Sequence, residues 1–313
     1  MDRLMALLSL PGPSGDEGAV TDWLLHEIPV LAPGAACLRL GDNLLAVRGT
    51  PRVAVFAHID TTGWTLGYNG VLLPIGGPEG QLGDPLRCTA PAADGTVLRG
   101  RLEVTGEEDT ATLHLGRDEA VGPQETPGAA DAPPGTRWVY DREPVLRENR
   151  LTAAYLDNRA GVWCALRALA RSPHIAVAFT TGEEQHGHGA RVCARWLYDS
   201  FRLTQALIAD TTWATEYVRC GEGPVVSLRD IHCPRQSYLH RVVSLAETSG
   251  LPYQREIQSS GSSDGSHLLR SSVPIDWAFV GVAAEGAHTS EEQVDVADLD
   301  RLGDLLAHLA DRL

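Results

Sequence analysis

Ile175-Ala-Val-Ala-Phe-Thr-Thr-Gly-Glu-Glu-Gln-His-Gly-His-Gly-Ala190 is the stretch on which the reading of this chain turns. Its first five residues are apolar and rich in β-branched and aromatic side chains, the pattern of a buried strand. Thr180-Thr181-Gly182 ends that strand. Two adjacent carboxylates follow, Glu183 and Glu184, and then a glycine-rich turn. From Ala190 onward, Val192, Trp196 and Leu197 have the spacing of a helix. Neighbouring carboxylates repel, so a fold sets them at the end of a buried strand only if something offsets the charge. A metal ion would do so, and the rest of the chain reads as a search for further ligands.

The bulk properties narrow the field. With 313 residues, 43% of them hydrophobic, the chain has material for one large domain or two smaller ones. A mean hydropathy of -0.12 suits a soluble globular protein. The net charge of -15 argues against nucleic acid or an anionic membrane as partner, since both need a basic surface. All 26 basic residues are arginine, which removes Schiff-base and lysine-dependent phosphate chemistry; a GC-rich genome accounts for the bias. Cys37, Cys88, Cys164, Cys193, Cys220 and Cys233 form no CxxC pair and read as reduced, mostly buried thiols. The apolar run near the start is too short for a signal peptide and no window has the length of a membrane span, so a cytoplasmic protein is expected.

Other strands end as this one does. Val53-Ala-Val-Phe-Ala57 leads into His58 and Asp60, and Ala206-Leu-Ile-Ala209 leads into Asp210. Ligands gather at the carboxyl edge of open α/β sheets. Asp157 precedes a periodic helix, Val162 to Ala170, and its plain reading is an N-terminal charge. Asp264 falls in a polar loop, Ser259 to Ser266, and His288 precedes a final amphipathic helix beginning at Val296. Earlier in the chain, Ser14 or Asp16 would cap a helix from about Glu17 to Glu27, and a hairpin spans Cys37–Val47 with Gly41-Asp42-Asn43 as its turn. A strand is expected over Pro274–Val280 and a helix over Gln236–Ser249. Between Trp64 and Arg150 the pattern is short strand-like pieces with frequent Gly and Pro, which suggests a small all-β insert. Within it, His114 reads as structural and 125–135 as an exposed loop. The expected division is 1–64 and 151–313 for an α/β catalytic domain, with 65–150 inserted.

His58, Asp60, Asp157, Glu183, Glu184, Asp210, Asp264 and His288 are thus the candidates. Imidazole mixed with carboxylate suits borderline divalent metals, while magnesium or calcium would want oxygen alone and structural zinc would want thiolates. Two histidines and several carboxylates suit a two-metal centre that activates water.

The motifs occur in an order that resembles the M42 family of metallo-aminopeptidases, the glutamyl and tetrahedral aminopeptidase group. Pro11-Gly-Pro-Ser14-Gly15 with Glu17 resembles PGxSGxE. Ala57-His58-Ile-Asp60-Thr-Thr-Gly63 resembles AHxDxxG, and Asp157-Asn-Arg159-Ala-Gly161 resembles DxRxG. Glu183-Glu184 with Gly189-Ala190 resembles EExGxxGA; Gly221-Glu-Gly-Pro224 resembles GxGP. Gly261-Ser-Ser-Asp264-Gly265 is a loose match to GxDA, and His288 with Glu292 resembles the closing HxxxE.

The resemblance implies a mixed-sheet α/β core of the co-catalytic zinc peptidase type with an inserted small β-barrel-like domain. It implies two divalent metal ions per subunit, zinc with cobalt or manganese as alternatives. His58, Asp157 and Asp210 would hold one ion and Asp157, Glu184 and His288 the other. Glu183 would be the general base acting on a metal-bridging hydroxide, and Asp60 would orient His58. A peptide substrate cut at its N-terminus and a homo-oligomer are also implied. A deacylase or deacetylase, and a silent peptide-binding relative, are the alternatives. The chain departs from the pattern in three places. Gln185-His186-Gly187-His188 replaces a glycine and brings two imidazoles near the site, as extra ligands, substrate contacts or exposed turn residues. Asn158 stands where Asp is common, and 105–135 fits the family's insert poorly.

Overall fold

A computed structural model describes residues 1–79, 86–91, 96–105, 112–116 and 132–313, and of 103–105 and 112–116 it describes the backbone alone. Helix α1 (Asp2–Leu8) and helix α2 (Gly18–Leu31) open the chain. Val20, Leu24 and Ile28, four residues apart, form the buried stripe of α2. The helix extends past the expected end at Glu27 and carries Pro29 inside its last turn, where burial of Ile28 favours continuing. Neither Ser14 nor Asp16 caps it: the cap residue is Glu17, whose side chain accepts from Gly15 N and makes no capping bond to the helix, and the Ser14 hydroxyl donates instead to Asp60 Oδ2. Strands β1 (Ala36–Leu40) and β2 (Asn43–Arg48) make the expected hairpin, with Gly41 at φ 66° in the turn.

Strand β3 (Ala54–His58) is buried at every position. After it come β4 (Gly63–Leu66), β5 (Leu72–Ile75), β6 (Leu86–Pro91), β7 (Val97–Thr105), β8 (Thr112–Gly116) and β9 (Arg137–Tyr140). These six form one sheet in the order β5-β4-β9-β6-β7-β8. The only helical piece among its described residues is a 3₁₀ turn, Tyr68–Gly70. Trp64 and Trp138, paired across β4 and β9, are fully buried at its centre. His114 lies on β8, and most of 125–135 is outside the described residues.

Strands β10 (Val145–Arg147) and β11 (Arg150–Ala153) lead into helix α3 (Leu156–Arg171), which starts earlier than its periodicity suggests. Asp157 and Asn158 are joined by a cis peptide and are not helical in φ/ψ, so regular turns begin only after them. Strand β12 (Ile175–Thr180), helix α4 (Gly189–Phe201), strand β13 (Gln205–Ile208) and strand β14 (Thr211–Trp213) follow. Then come β15 (Val225–Ser227), α5 (Gln236–Thr248), β16 (Gln254–Glu256) and α6 (Asp264–Leu269). The second half of the expected polar loop is therefore helix, started by Ser263, whose hydroxyl accepts from Gly265 N. Strand β17 (Asp276–Ala284) runs four residues past Val280, through Gly281, where a side chain would strike the Asp210 carbonyl. Strand β18 (Glu292–Asp295) and helix α7 (Val296–Ala310) close the chain.

The main sheet has the order β1-β2-β12-β3-β13-β17-β15-β16, with β14 paired to β17. Its centre, β12, β3, β13 and β17, is parallel. Helices cover both faces of such a sheet, which is why these strands read as unbroken apolar runs. On one side α7 packs on α3 and β17, and its Leu299, Leu302, Leu305, Leu306 and Leu309 are each no more than 1% exposed. Truncating any of these leucines to Ala would cost about 2–5 kcal/mol. Cys88, Cys164 and Cys193 are buried, whereas Cys37 and Cys233 are exposed, against expectation, and Cys220 is intermediate; none of the six forms a disulfide. Among the described residues no helix is long and apolar enough to cross a membrane.

Candidate metal centre

Parallel neighbours finish at the same edge, so β3, β12 and β13 deliver their following residues to one place. His58, the last residue of β3, is in register with Thr180, the last of β12. Glu183 and Glu184 form a short 3₁₀ turn three residues on, and Asp210 follows β13. Asp157 reaches the same edge from the irregular start of α3, and His288 from the connection between β17 and β18.

The side chains meet. His58 Nε2 lies 3.1 Å from Asp157 Oδ1 and 3.5 Å from Asp210 Oδ1. His288 Nε2 lies 3.7 Å from Asp157 Oδ2 and 3.7 Å from Glu184 Oε2. The two oxygens of Asp157 thus face different imidazoles. One ligand atom each from His58, Asp157 and Glu184 lies within 4.8 Å of the others. These groups, with Glu183, line a cavity of about 360 Å³.

Both imidazoles are held by their other nitrogen. His58 Nδ1 lies 3.2 Å from the Asp60 carbonyl, and His288 Nδ1 lies 3.0 Å from the Gly77 carbonyl. A carbonyl only accepts, so Nδ1 carries the hydrogen and Nε2 faces the carboxylates in each case. Asp60 is fully buried and does more than orient a histidine. Its Oδ1 accepts from Glu183 N and its Oδ2 from Glu184 N, each at 3.0 Å, in addition to Ser14. Its carboxylate lies 3.5 Å from His58 Nδ1. Burial by itself would raise Asp60, but His58, Ser14 and the Glu183 amide outweigh it and hold it below the usual range.

The charge balance favours a cation. Burial, with repulsion from Asp157, pushes Glu184 well above the ordinary carboxylate range. Burial does the same to Glu183, and raises Asp210 to about 6. His58 is raised too, for a different reason: burial would lower it, yet Asp210 and Asp157 raise it well above its ordinary value. Glu184 Oε1 is buried with no hydrogen-bond partner among the described residues. An oxygen-and-imidazole donor set with excess negative charge and an orphaned acceptor fits a divalent metal of the zinc, cobalt or manganese type.

Two residues that hold this arrangement had been given no role. Glu292, 1% exposed, accepts from Asp157 N and from His288 N, each at 2.8 Å, and so ties two candidate ligands together. Its sequence signal was only its place four residues after His288. Arg159, fully buried, donates to the Ile59 and Leu10 carbonyls, and burial lowers it to about 10. Arg159→Ala is expected to cost roughly 3 kcal/mol, because it opens a cavity and strands two carbonyls beside His58 and Asp60. Scanning calorimetry would show it as a lower melting temperature, and an unchanged one would refute the clamp. Asp264 is buried but does not line the cavity; it accepts from Thr180 and is raised by burial to about 7. His186 and His188 are both exposed; His186 lines the cavity, His188 precedes α4, and neither joins the cluster of close ligand atoms.

A carboxyl-edge cluster of this composition on a mixed α/β sheet is one that could hold a divalent metal. The chain belongs to the M42 glutamyl aminopeptidase family, whose profile matches residues 43–305, and is accordingly an enzyme, a peptide hydrolase. Solved structures share the fold along its length. The aminopeptidase APDkam598 from the archaeon Desulfurococcus kamchatkensis is 22% identical with a TM-score of 0.84, covering 100% of this chain and 94% of its own. A TET aminopeptidase from a marine sediment archaeon of the Thaumarchaeota is 18% identical with a TM-score of 0.85, covering 100% and 96%. The TET1 peptidase of Pyrococcus horikoshii, which assembles into a tetrahedron or a large octahedral shell, is 21% identical with a TM-score of 0.79, covering 100% and 99%.

Proposed function

We propose that the protein is a two-metal aminopeptidase that removes N-terminal residues from peptides. The observation that carries this reading is Asp157, whose two oxygens face the Nε2 atoms of His58 and His288. One ion would be held by His58, Asp157 and Asp210, the other by Asp157, Glu184 and His288. When bound, the pair would acidify a water molecule and polarise the substrate carbonyl.

The remaining work falls to the chain. Glu183 is the general base. Its amide is fixed on Asp60, its side chain lines the cavity, and burial raises its basicity well above that of an ordinary carboxylate. It takes the proton from the attacking water and returns it to the departing amine. Asp60 positions His58, Glu183 and Glu184 at once; Glu292 positions Asp157 and His288.

Residues 1–64 and 151–313 form the catalytic domain in this proposal, and 65–150 an insert that meets it at His288. There Gly77 O faces the imidazole, and Tyr140 Oη donates to the His288 carbonyl. A homo-oligomer is proposed from the likeness to the assembled Pyrococcus enzyme, and a cytoplasmic site from six cysteines that form no disulfide.

The test is hydrolysis of aminoacyl-anilides by protein loaded with zinc, cobalt or manganese. Free-amine substrates should be cleaved, N-acetylated ones should not, and a chelator should abolish the rate. Cleavage confined to blocked substrates would instead make the protein a deacylase.

A further inference from the structure

We infer that the cavity ends in a subsite for a cationic side chain, formed by Asp230 and Glu256, so that peptides beginning with arginine or lysine are preferred. This rests on the aminopeptidase reading of the same cavity. The two acids belong to neither proposed ion's ligand set, yet they line the cavity that holds Glu183 and Glu184. Asp230 follows β15 and Glu256 ends β16, strands that pair in parallel. They connect to the ligands through β14: Thr211 N donates to Asp210 Oδ1, and the next residue, Thr212, donates its hydroxyl to Glu256 Oε1 at 2.6 Å. Gln258 Nε2 closes this network, 2.6 Å from Glu256 Oε1 and 2.7 Å from Thr212 Oγ1.

Glu256 and Asp230 are only 5% and 7% exposed. Among the described residues no ion pair reaches either carboxylate. Asp230 Oδ1 accepts from His232 N, but Oδ2 is buried and has no hydrogen-bond partner among the described residues. Arg229 and His232 offset the Asp230 charge in part, while Arg229 spends its Nε on the Asp230 carbonyl. Burial raises both acids, and for Glu256 the nearby Asp230 adds to it.

Buried carboxylates are costly unless a positive group meets them. A guanidinium or ammonium at this end of the cavity would pair with the free Asp230 oxygen and neutralise the two acids together. A leucine side chain would leave Asp230 unpaired, and a glutamate would add a third negative charge. The preference is thus set by what each first residue does to a charge already in place.

Two measurements test the inference on the metal-loaded enzyme. In the first, kcat/KM is compared for arginine, lysine, leucine and glutamate 4-nitroanilides. Arginine and lysine should exceed leucine by at least about tenfold and glutamate by about a hundredfold. Asp230→Asn and Glu256→Gln should each lower the arginine-to-leucine ratio about tenfold; both are isosteric, and either suffices if the other does not fold. In the second, calorimetry compares binding of free L-arginine and L-norleucine, with no turnover needed. Arginine should bind at least tenfold more tightly to the wild type, and the gap should close in the variants. An active enzyme that prefers leucine or glutamate anilides, or that binds arginine no better than norleucine, overturns the inference and leaves the aminopeptidase reading standing. Hydrolysis confined to N-blocked substrates, or none at all, overturns both.

Discussion

Replacing Glu183 by Gln is expected to lower kcat by about 10³-fold while both proposed metal ions stay bound. A positioned general base contributes typically 10²–10⁴-fold. The amide keeps the shape of the side chain, and the backbone N–H of residue 183 keeps its hydrogen bond to Asp60. Glu184, the proposed ligand, is held separately through its own N–H. Metal content measured by mass spectrometry should therefore remain at two ions per chain while turnover collapses. KM should move much less than kcat, since the base acts mainly in the transition state. Loss of an ion in Glu183→Gln would make Glu183 a ligand instead, and a near-normal rate would remove it from the mechanism.

Asp157→Ala should be the more destructive change. Asp157 is the one carboxylate in the cluster with an imidazole at each oxygen. It therefore serves both proposed ions, and its loss weakens both sites together. Activity should drop by at least about 10⁴-fold, with metal content at one ion per chain or fewer. Ligand binding to the folded state raises its melting temperature, so the shift produced by added zinc should shrink in this variant. If Asp157→Ala retains two ions and a large zinc shift, Asp157 does not bridge. The two substitutions are separable: Glu183→Gln leaves metal and removes rate, while Asp157→Ala removes both.

Much of this was legible in the chain because it depends on short-range pattern. Unbroken apolar runs ending in His58, Glu183 and Asp210 mark parallel strands and the edge they share. The leucine stripe of α7 and the Gly41 turn were readable for the same reason. Helix ends were less so. Pro29 and the irregular Asp157–Asn158 start violate local rules, and tertiary burial decided them. What could not be read was partnership across long separations. Ser14 looks like a cap and bonds Asp60, 46 residues away. Glu292 looks like one acid among several and holds an amide 135 residues away. Asp230 and Glu256 carry no motif, and their meaning arises only when β15 and β16 pair and bring them into one cavity.

The bonds from one carboxylate to the successive amides of Glu183 and Glu184 have a consequence for sequence drift. The proposed base and ligand are held from behind by a side chain of the adjacent loop, and the turn that follows is tied back to them by backbone bonds, from Gly187 N to the Gly182 carbonyl and from His186 N to the Glu183 carbonyl. Those bonds are made by main-chain atoms, so the side chains of Gln185, His186 and His188 are not needed for them, and two exposed imidazoles sit there without joining the cluster. An evolving lineage, or an engineer, can vary those three side chains and leave the cluster where it is, while Gly187, where a Cβ would strike the Gly182 carbonyl, stays fixed.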